Sequence, residues 1–166
     1  MNSKIIGIMA CTDRGVIGKA GKIPWHYPSE LRHFQEQTKG QVVIMGRKTF
    51  EEMSELHLLN NRQGIIFTRN RDFAAANMRK NVKFVHSFAE FKTIKLPPNL
   101  KTYMIGGASI AELFMHNNMI QEFLLTKIHK KYDGDTYFSL NLLEKWYSEK
   151  IFVSEDYTIF QYSKNK

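Results

Sequence analysis

The chain is predicted to fold as an α/β protein: a single-domain, three-layer sandwich with a mostly parallel central sheet and an antiparallel strand pair at its C-terminus. Three observations predict this. Short apolar runs alternate with helix-like segments along the chain. Several of those runs are apolar at every position, as strands covered on both sheet faces must be. No repeat, linker or low-complexity tract divides the 166 residues, a length suited to one domain.

The elements follow in order. The first strand is Ile5–Cys11. Thr12–Pro24 comes next, spaced by Gly15, Gly18 and Gly21, and suits either a mobile lid or an ordinary surface loop. A helix is predicted over Ser29–Thr38, with Gly40 just past its end, where a left-handed residue is often needed. Strand Gln41–Met45 leads into helix Thr49–Leu56. Strands Gly64–Thr68 and Val82–His86 follow, then a helix at Ser87–Lys92 whose Ser87-Phe88-Ala89-Glu90 has capping-box spacing. Strand Lys101–Ile105 precedes helix Ala108–Asn117. Strands Phe123–His129, Ile151–Val153 and Thr158–Tyr162 close the chain, the last two as an antiparallel pair turning at Ser154–Tyr157.

Composition narrows the function classes. The chain is 43% hydrophobic, 13% aromatic and 24% charged, ordinary for a globular protein. Its apolar runs, such as Val42–Met45, are too short to span a bilayer. The opening Met1-Asn2-Ser3-Lys4-Ile5-Ile6 lacks the long apolar stretch and cleavage site of a signal peptide. Cys11 is the only cysteine, so no intrachain disulfide can form. A cytoplasmic location without membrane association is the expectation. The net charge of +8 attracts anions, yet the cations are dispersed, with pairs such as Arg79-Lys80 and Lys130-Lys131. A solvated basic surface is therefore expected, and no nucleic-acid partner.

Three familiar motifs fail. Gly107-Ala108-Ser109-Ile110-Ala111 nearly matches a nucleophile elbow but ends in Ala, leaving Ser109 as a residue of a helix's first turn. Gly46-Arg47-Lys48-Thr49 resembles the end of a phosphate loop without its upstream glycine. The six histidines show no metal-ligand spacing, so no metal site is expected; His26 and His33 read as two exposed polar residues.

Other residues point to chemistry. Glu30 opens a helix, where a carboxylate suits the dipole. It also shares a helical face with Phe34, beside Leu31, and a carboxylate among apolar groups is costly without a partner. A flat, amidine-bearing heterocycle would supply one. Arg47, Lys48 and Thr49 follow a strand and Gly46 at a helix start, a natural phosphate site. Gly106 and Gly107 follow another strand, where missing side chains permit close approach. Arg69, just after Thr68, either joins Arg47 on a phosphate or is an exposed, unpaired arginine.

Four patterns carry a specific resemblance: Gly15-Val16-Ile17-Gly18 with Ile23-Pro24-Trp25; Pro28-Ser29-Glu30-Leu31 on to Phe34; Val43-Ile44-Met45-Gly46-Arg47-Lys48-Thr49-Phe50; and Met104-Ile105-Gly106-Gly107-Ala108. In this order and spacing they resemble dihydrofolate reductase. The match runs from the first strand through Leu125-Thr126-Lys127-Ile128 to Gly134-Asp135-Thr136-Tyr137-Phe138, covering nearly the whole chain. The resemblance implies NADPH as cofactor, dihydrofolate as substrate, antifolate binding and a monomer. It implies hydride transfer from C4 of the nicotinamide to C6 of dihydrofolate, with protonation at N5.

It also implies roles. Glu30 matches the acid that grips the pteridine's 2-amino group and ring nitrogen, Thr126 the hydroxyl that supports it, and Trp25 a residue holding a water nearby. Ile8, Leu31, Phe34, Met53, Leu59 and Ile105 are expected around the pterin and aminobenzoyl rings, and Arg62 on the glutamyl carboxylate. Backbone groups of Ala10 and Ile17, beside Gly18, are expected at the nicotinamide. Gly46, Arg47, Lys48, Thr49, Thr68 and Arg69 are expected on phosphates. A Gly106–Gly107 cis peptide is implied, with pyrophosphate contacts from Gly107, Ala108 and Ser109. Three departures stand out: Leu58-Leu59-Asn60-Asn61-Arg62 replaces the family's Pro-x-Pro-Gly-Arg, Ala111 stands where a tyrosine is frequent, and Glu30 replaces an aspartate common in bacterial relatives. A riboflavin-pathway reductase of the same fold is the rival enzyme, and it would not need Trp25, Glu30 and Phe34 together. A basic nucleic-acid-binding module is the rival of another class, and it would need a continuous basic stripe with interleaved aromatics.

Overall fold

Strands that are apolar at every position need cover on both faces, and their alternating side chains divide between two cores. The computed structural model describes residues 4–164, so Met1, Asn2 and Ser3 of the N-terminal stretch lie outside the described residues. The elements are β1 (Ile5–Thr12), β2 (Val16–Gly18), α1 (Pro28–Thr38), β3 (Val42–Gly46), α2 (Arg47–Glu55), β4 (Gln63–Phe67), α3 (Arg71–Ala76), β5 (Val82–Val85), α4 (Phe88–Lys92), β6 (Thr102–Gly106), α5 (Ala108–His116), β7 (Ile120–Ile128), β8 (Thr136–Tyr137), a 3-10 turn at Leu140–Leu143, β9 (Tyr147–Val153) and β10 (Tyr157–Ser163).

One eight-stranded sheet runs in the order β5-β4-β3-β6-β1-β7-β10-β9. The strands from β5 to β7 are parallel; β10 is antiparallel to β7, and β9 to β10. This is the predicted architecture. Val42 and Ile44 of β3 enter one core, with Phe91 of α4 and Ala111 and Phe114 of α5. Val43 and Met45 enter the other, with Phe50 and Met53 of α2 and with Leu31 and Phe34 of α1 against them. β6 divides in the same way, Met104 facing the first core and Tyr103 and Ile105 the second. Alternation along a buried strand therefore builds both faces at once.

Helix ends follow local chemistry. α1 starts at Pro28, whose missing amide is no loss there, and Gly40 adopts φ 76° beyond its end. Ser87 caps α4 as predicted, its Oγ accepting the Glu90 amide at 3.1 Å, but Glu90 Oε2 accepts His86 N at 2.7 Å rather than Ser87 N. α2 ends at a left-handed His57 (φ 56°), with His57 N bonded to Ser54 O and Leu58 N to Met53 O, a Schellman closure.

Four elements escaped the sequence pattern. β2 and β8 are too short for a period, and they pair only with each other. α3 has six residues, its signal being Asn70, whose side chain accepts Phe73 N at 2.9 Å. The 3-10 turn spans four residues. β9 begins at Tyr147 rather than Ile151 because all of it is exposed and its polar Ser148-Glu149-Lys150 carry no apolar signal.

Phe114 is fully buried, with Phe67, Phe88 and Phe91 rings 5.0–5.8 Å away. Phe114→Ala should therefore cost about 3–5 kcal/mol, measured by urea unfolding. A loss under about 1 kcal/mol would show that the aromatic cluster closes over the gap.

Candidate active site

Parallel strands end together. Register places Met45 beside Gly106, Gly46 beside Phe67, and Phe67 beside Val85. The segments following β6, β3 and β4 thus share one sheet edge, carrying Gly106–Ser109, Gly46–Thr49 and Thr68–Arg69. α2 and α5 there each begin from a glycine, Gly46 or Gly107, with no side-chain cap. By contrast, Asn70 caps α3 and Ser87 caps α4. The first-turn amides of α2 and α5 thus remain available to an anion. Arg47 is steadied by Glu51 at 3.1 Å and by the Phe73 ring at 4.0 Å. Lys48, Arg69 and Ser109 are exposed, while Thr68 is buried. The Gly106–Gly107 peptide is cis. A side chain on Gly46 would put its Cβ 3.2 Å from Ile110, so α5 packs directly on that backbone.

The same edge opens into a cavity of about 160 Å³ between the sheet, α1 and α2. The sheet contributes Ile8, Ala10, Ile105 and Thr126, with Ala10 and Thr126 side by side on β1 and β7. α1 contributes Glu30, Leu31 and Phe34, and α2 contributes Thr49 and Met53. Ile17 and Trp25 close the loop side, and Trp25 packs 5.8 Å from Tyr132. Thr49 and Gly107 belong both to the cavity and to the uncapped helix starts, so the two sites are continuous.

Glu30 is the anomaly in this wall. Among the described residues, nothing donates a hydrogen bond to its carboxylate and no cation pairs with it. Burial alone pushes its pKa from 4.5 up to about 7. Thr126 faces the same cavity without bonding to Glu30.

Some expectations shift. Leu58 rather than Leu59 lines the cavity, both packing in the same core beneath it. Arg62 lies outside the cavity wall, at the far end of α1, donating to Thr38 Oγ1 (2.9 Å), Asn60 O (2.9 Å) and Gln35 O (3.0 Å). It is buried, which lowers its pKa, and among the described residues no carboxylate pairs with it. His33 is not an exposed polar residue: it lines the cavity, its Nε2 sealed without a partner, and burial lowers its pKa against the opposing pull of Glu36. Ile23 and Glu52 also line the cavity unforeseen. Helical spacing held the clue for two of these, His33 lying one turn from Glu30 and Glu52 one turn from Thr49.

The loop after β1 is docked by main-chain bonds. Gly18 O accepts Asp135 N at 3.0 Å, and Gly15 O accepts Phe138 N at 2.7 Å. Gly134 is required there, since an added Cβ would lie 2.3 Å from Val16 Cγ1 and 2.6 Å from Gly18 O. Among the described residues, no cluster of histidine, cysteine and carboxylate groups is placed to hold a metal ion. None of their helices is long and apolar enough to cross a membrane.

A family model described as dihydrofolate reductase matches residues 4–162. The chain belongs to the dihydrofolate reductase family. The dihydrofolate reductase of Lactococcus lactis subsp. lactis is 36% identical over 170 residues, covering 98% of each chain. That of Enterococcus faecium is 33% identical over 132 residues, covering 80% of this chain and 75% of its own. The solved structure of dihydrofolate reductase from Enterococcus faecalis, complexed with NADP(H) and RAB-propyl, superposes with a TM-score of 0.80. It is 29% identical and covers 98% of this chain and 97% of its own.

The carboxyl of Glu30 titrates at its ordinary 4.5 in the unfolded chain but near 7 in the folded dihydrofolate-reductase-family site. Between those values unfolding releases a proton, so stability falls as pH rises and stays lowered above about 7. Glu30→Gln should accordingly stabilise the ligand-free protein at pH 8 by on the order of 3 kcal/mol, with the gain gone near pH 4. Thermal unfolding across that range measures it; a gain that does not vary with pH would place the carboxylate in water.

Proposed function

We propose that this protein reduces 7,8-dihydrofolate to 5,6,7,8-tetrahydrofolate with NADPH, supporting one-carbon and thymidylate metabolism in the cytoplasm. The observation that carries this reading is an unpaired, half-buried carboxylate in a cavity continuous with two uncapped, glycine-initiated helices. That pairing of sites suits a cationic heterocycle beside a phosphate-bearing cofactor. When bound, NADPH supplies the hydride, from C4 of its nicotinamide to C6 of the pterin.

The protein's residues do the rest. Glu30 accepts the pterin's 2-amino and ring N–H groups and favours the pterin protonated at N5. Trp25 holds a water on that side, and Thr126, which lines the cavity without bonding Glu30, offers its hydroxyl to the bound pterin. Ile8, Leu31, Phe34, Met53 and Ile105 exclude solvent, which strengthens the Glu30 contact. Backbone groups of Ala10 and Ile17 orient the nicotinamide. The amides at Gly107, Ala108 and Ser109, and those at Gly46 and Thr49, receive the pyrophosphate. Arg47, Lys48, Thr68 and Arg69 would hold the adenosine 2′-phosphate.

Arg62 fits the other end of the substrate. Three of its five N–H groups are used, leaving one on each terminal nitrogen for a carboxylate. Glu30 sits in the first turn of α1, and Arg62 bonds its last, at Thr38. Eight residues at 1.5 Å each separate these points by roughly 12 Å, a span suited to a folate running from pterin to glutamyl carboxylate. Flat diamino-heterocyclic antifolates would take the same Glu30 contact.

Loss of NADPH absorbance with dihydrofolate tests the activity. Turnover of a ribosylaminopyrimidine in its place would favour the riboflavin-pathway reductase. Glu30→Gln keeps size and packing but removes the charge that the protonated intermediate needs more than the ground state does. Its single-turnover hydride rate at neutral pH should fall by more than about tenfold, with partial recovery at lower pH. A wild-type rate and pH profile would reduce Glu30 to a helix-start residue. Arg47→Ala should weaken NADPH about tenfold or more while sparing NADH, because a charge-assisted phosphate contact is lost. Equal weakening of both, by cofactor titration, would remove Arg47 from the 2′-phosphate.

A further inference from the structure

The loop between β1 and α1 is held from two sides, and the second holding point has no part in the roles assigned above. On the first side β2 pairs with β8, and Asp135 Oδ2 accepts the Ala20 amide at 2.9 Å. The tip is a tight hairpin. Lys19 and Lys22 exchange backbone hydrogen bonds of 2.8 and 3.1 Å around Ala20 (φ 51°) and Gly21 (φ 78°), the left-handed pair that a two-residue turn of this kind requires.

Glu52 of α2 stands on the other side. Its Oε1 accepts the Ile23 amide in a long bond of 3.4 Å. Ile23, Trp25, Glu52 and Leu56 all line the cavity, so this contact bridges its mouth from loop to helix. Among the described residues, no other hydrogen bond anchors the backbone of Ile23, Pro24, Trp25 or His26. Glu52 is half-buried in an apolar wall, where a carboxylate is costly without a partner, and no arginine or lysine of the described residues forms an ion pair with it. Burial raises its pKa; the Ile23 bond and Lys22 act the other way, while Glu55 adds to the rise.

We propose that Glu52 is a positioning residue for hydride transfer: by accepting the Ile23 amide it holds the Ile23–His26 segment, and with it Trp25, against α2 over the cavity. The kinetic consequence rests on the cavity being the pterin site; the tether itself does not. Without the tether, the only polar anchor of that segment is gone, and the wall that excludes water from Glu30 opens more often.

The test compares Glu52→Ala with Glu52→Gln, which keeps an oxygen acceptor at the same reach. Amide exchange at Ile23 in the ligand-free protein should quicken about three- to tenfold in the Ala variant, while exchange at Lys19, bonded within the hairpin, stays as in wild type. Single-turnover hydride transfer should slow by a similar factor with NADPH affinity unchanged, and the Gln variant should restore both. Unchanged Ile23 exchange in the Ala variant would overturn the tether. Faster exchange with an unchanged hydride rate would overturn the positioning role. A Gln variant as slow as the Ala variant would overturn the acceptor role, making the charge decisive instead. Absence of any hydride transfer in wild type would sink the proposed activity and leave the exchange result to decide the tether alone.

Discussion

Parallel strand pairing is the constraint from which the site follows. Each of the strands from β5 to β7 must be joined to the next by a chain that returns over a face of the sheet, so every such connection leaves from the same edge. Gly46, Thr68 and Gly106 are far apart in the chain, yet the register of β3, β4 and β6 brings them abreast. Once there, α2 and α5 each start from a glycine without a capping side chain, whereas α1, also without a side-chain cap, starts from Tyr27 with Pro28 in its first turn. The helices at the sheet's outer strands are closed by Asn70 and Ser87. The two glycine-initiated helix starts lie in the middle of the edge, beside the cavity.

The two ends of α1 carry complementary charges. Glu30, half-buried in the cavity wall, and Arg62, buried outside it, are opposite in sign, and neither is paired within the described residues. They flank α1 with the acid at its positive end and the guanidinium at its carbonyl end, as the helix dipole favours. Unpaired buried charges are stable only when their cost is spread over such local dipoles or met by a ligand. Arg62 has the dipoles: the carbonyl oxygens of Gln35 and Asn60 and the Thr38 hydroxyl each accept one of its N–H groups. Glu30 has the dipole alone, and its raised pKa records the deficit.

The loop over the cavity is short of structure of its own. β2 has three residues and one partner strand, and the chain from Ile23 to His26 has no ladder. Beyond the main-chain bonds of β2 and the loop to β8, its side-chain fastenings are carboxylates, Asp135 on one side and Glu52 on the other. Such bonds are individually worth little net against water and can break and re-form without repacking a core.

Much of this was legible in the residues. Continuous apolar runs announced buried strands, and the strand order then had to be largely parallel; Glu30 beside Leu31 and Phe34, and the glycine-plus-cation helix starts, announced a carboxylate site and a phosphate site. These are properties of spacing along one element, which periodicity preserves. The rest depends on which elements meet. That Leu58 rather than Leu59 lines the cavity follows the turn closing α2, where a left-handed His57 stands with no glycine to mark it in sequence. His33 and Glu52 lie on helical faces whose outward appearance in sequence is polar, and only the facing of α1 and α2 across one cavity makes them its walls. Arg62 owes its burial to the end of α1, and Asp135 and Glu52 meet the loop from β8's approach and from α2. By itself the sequence determined the elements, the fold class and the chemical type of each site, because those rest on local propensity and period. The tertiary structure decided which polar groups lose water and which find partners, because desolvation and hydrogen bonding depend on neighbours distant in the chain.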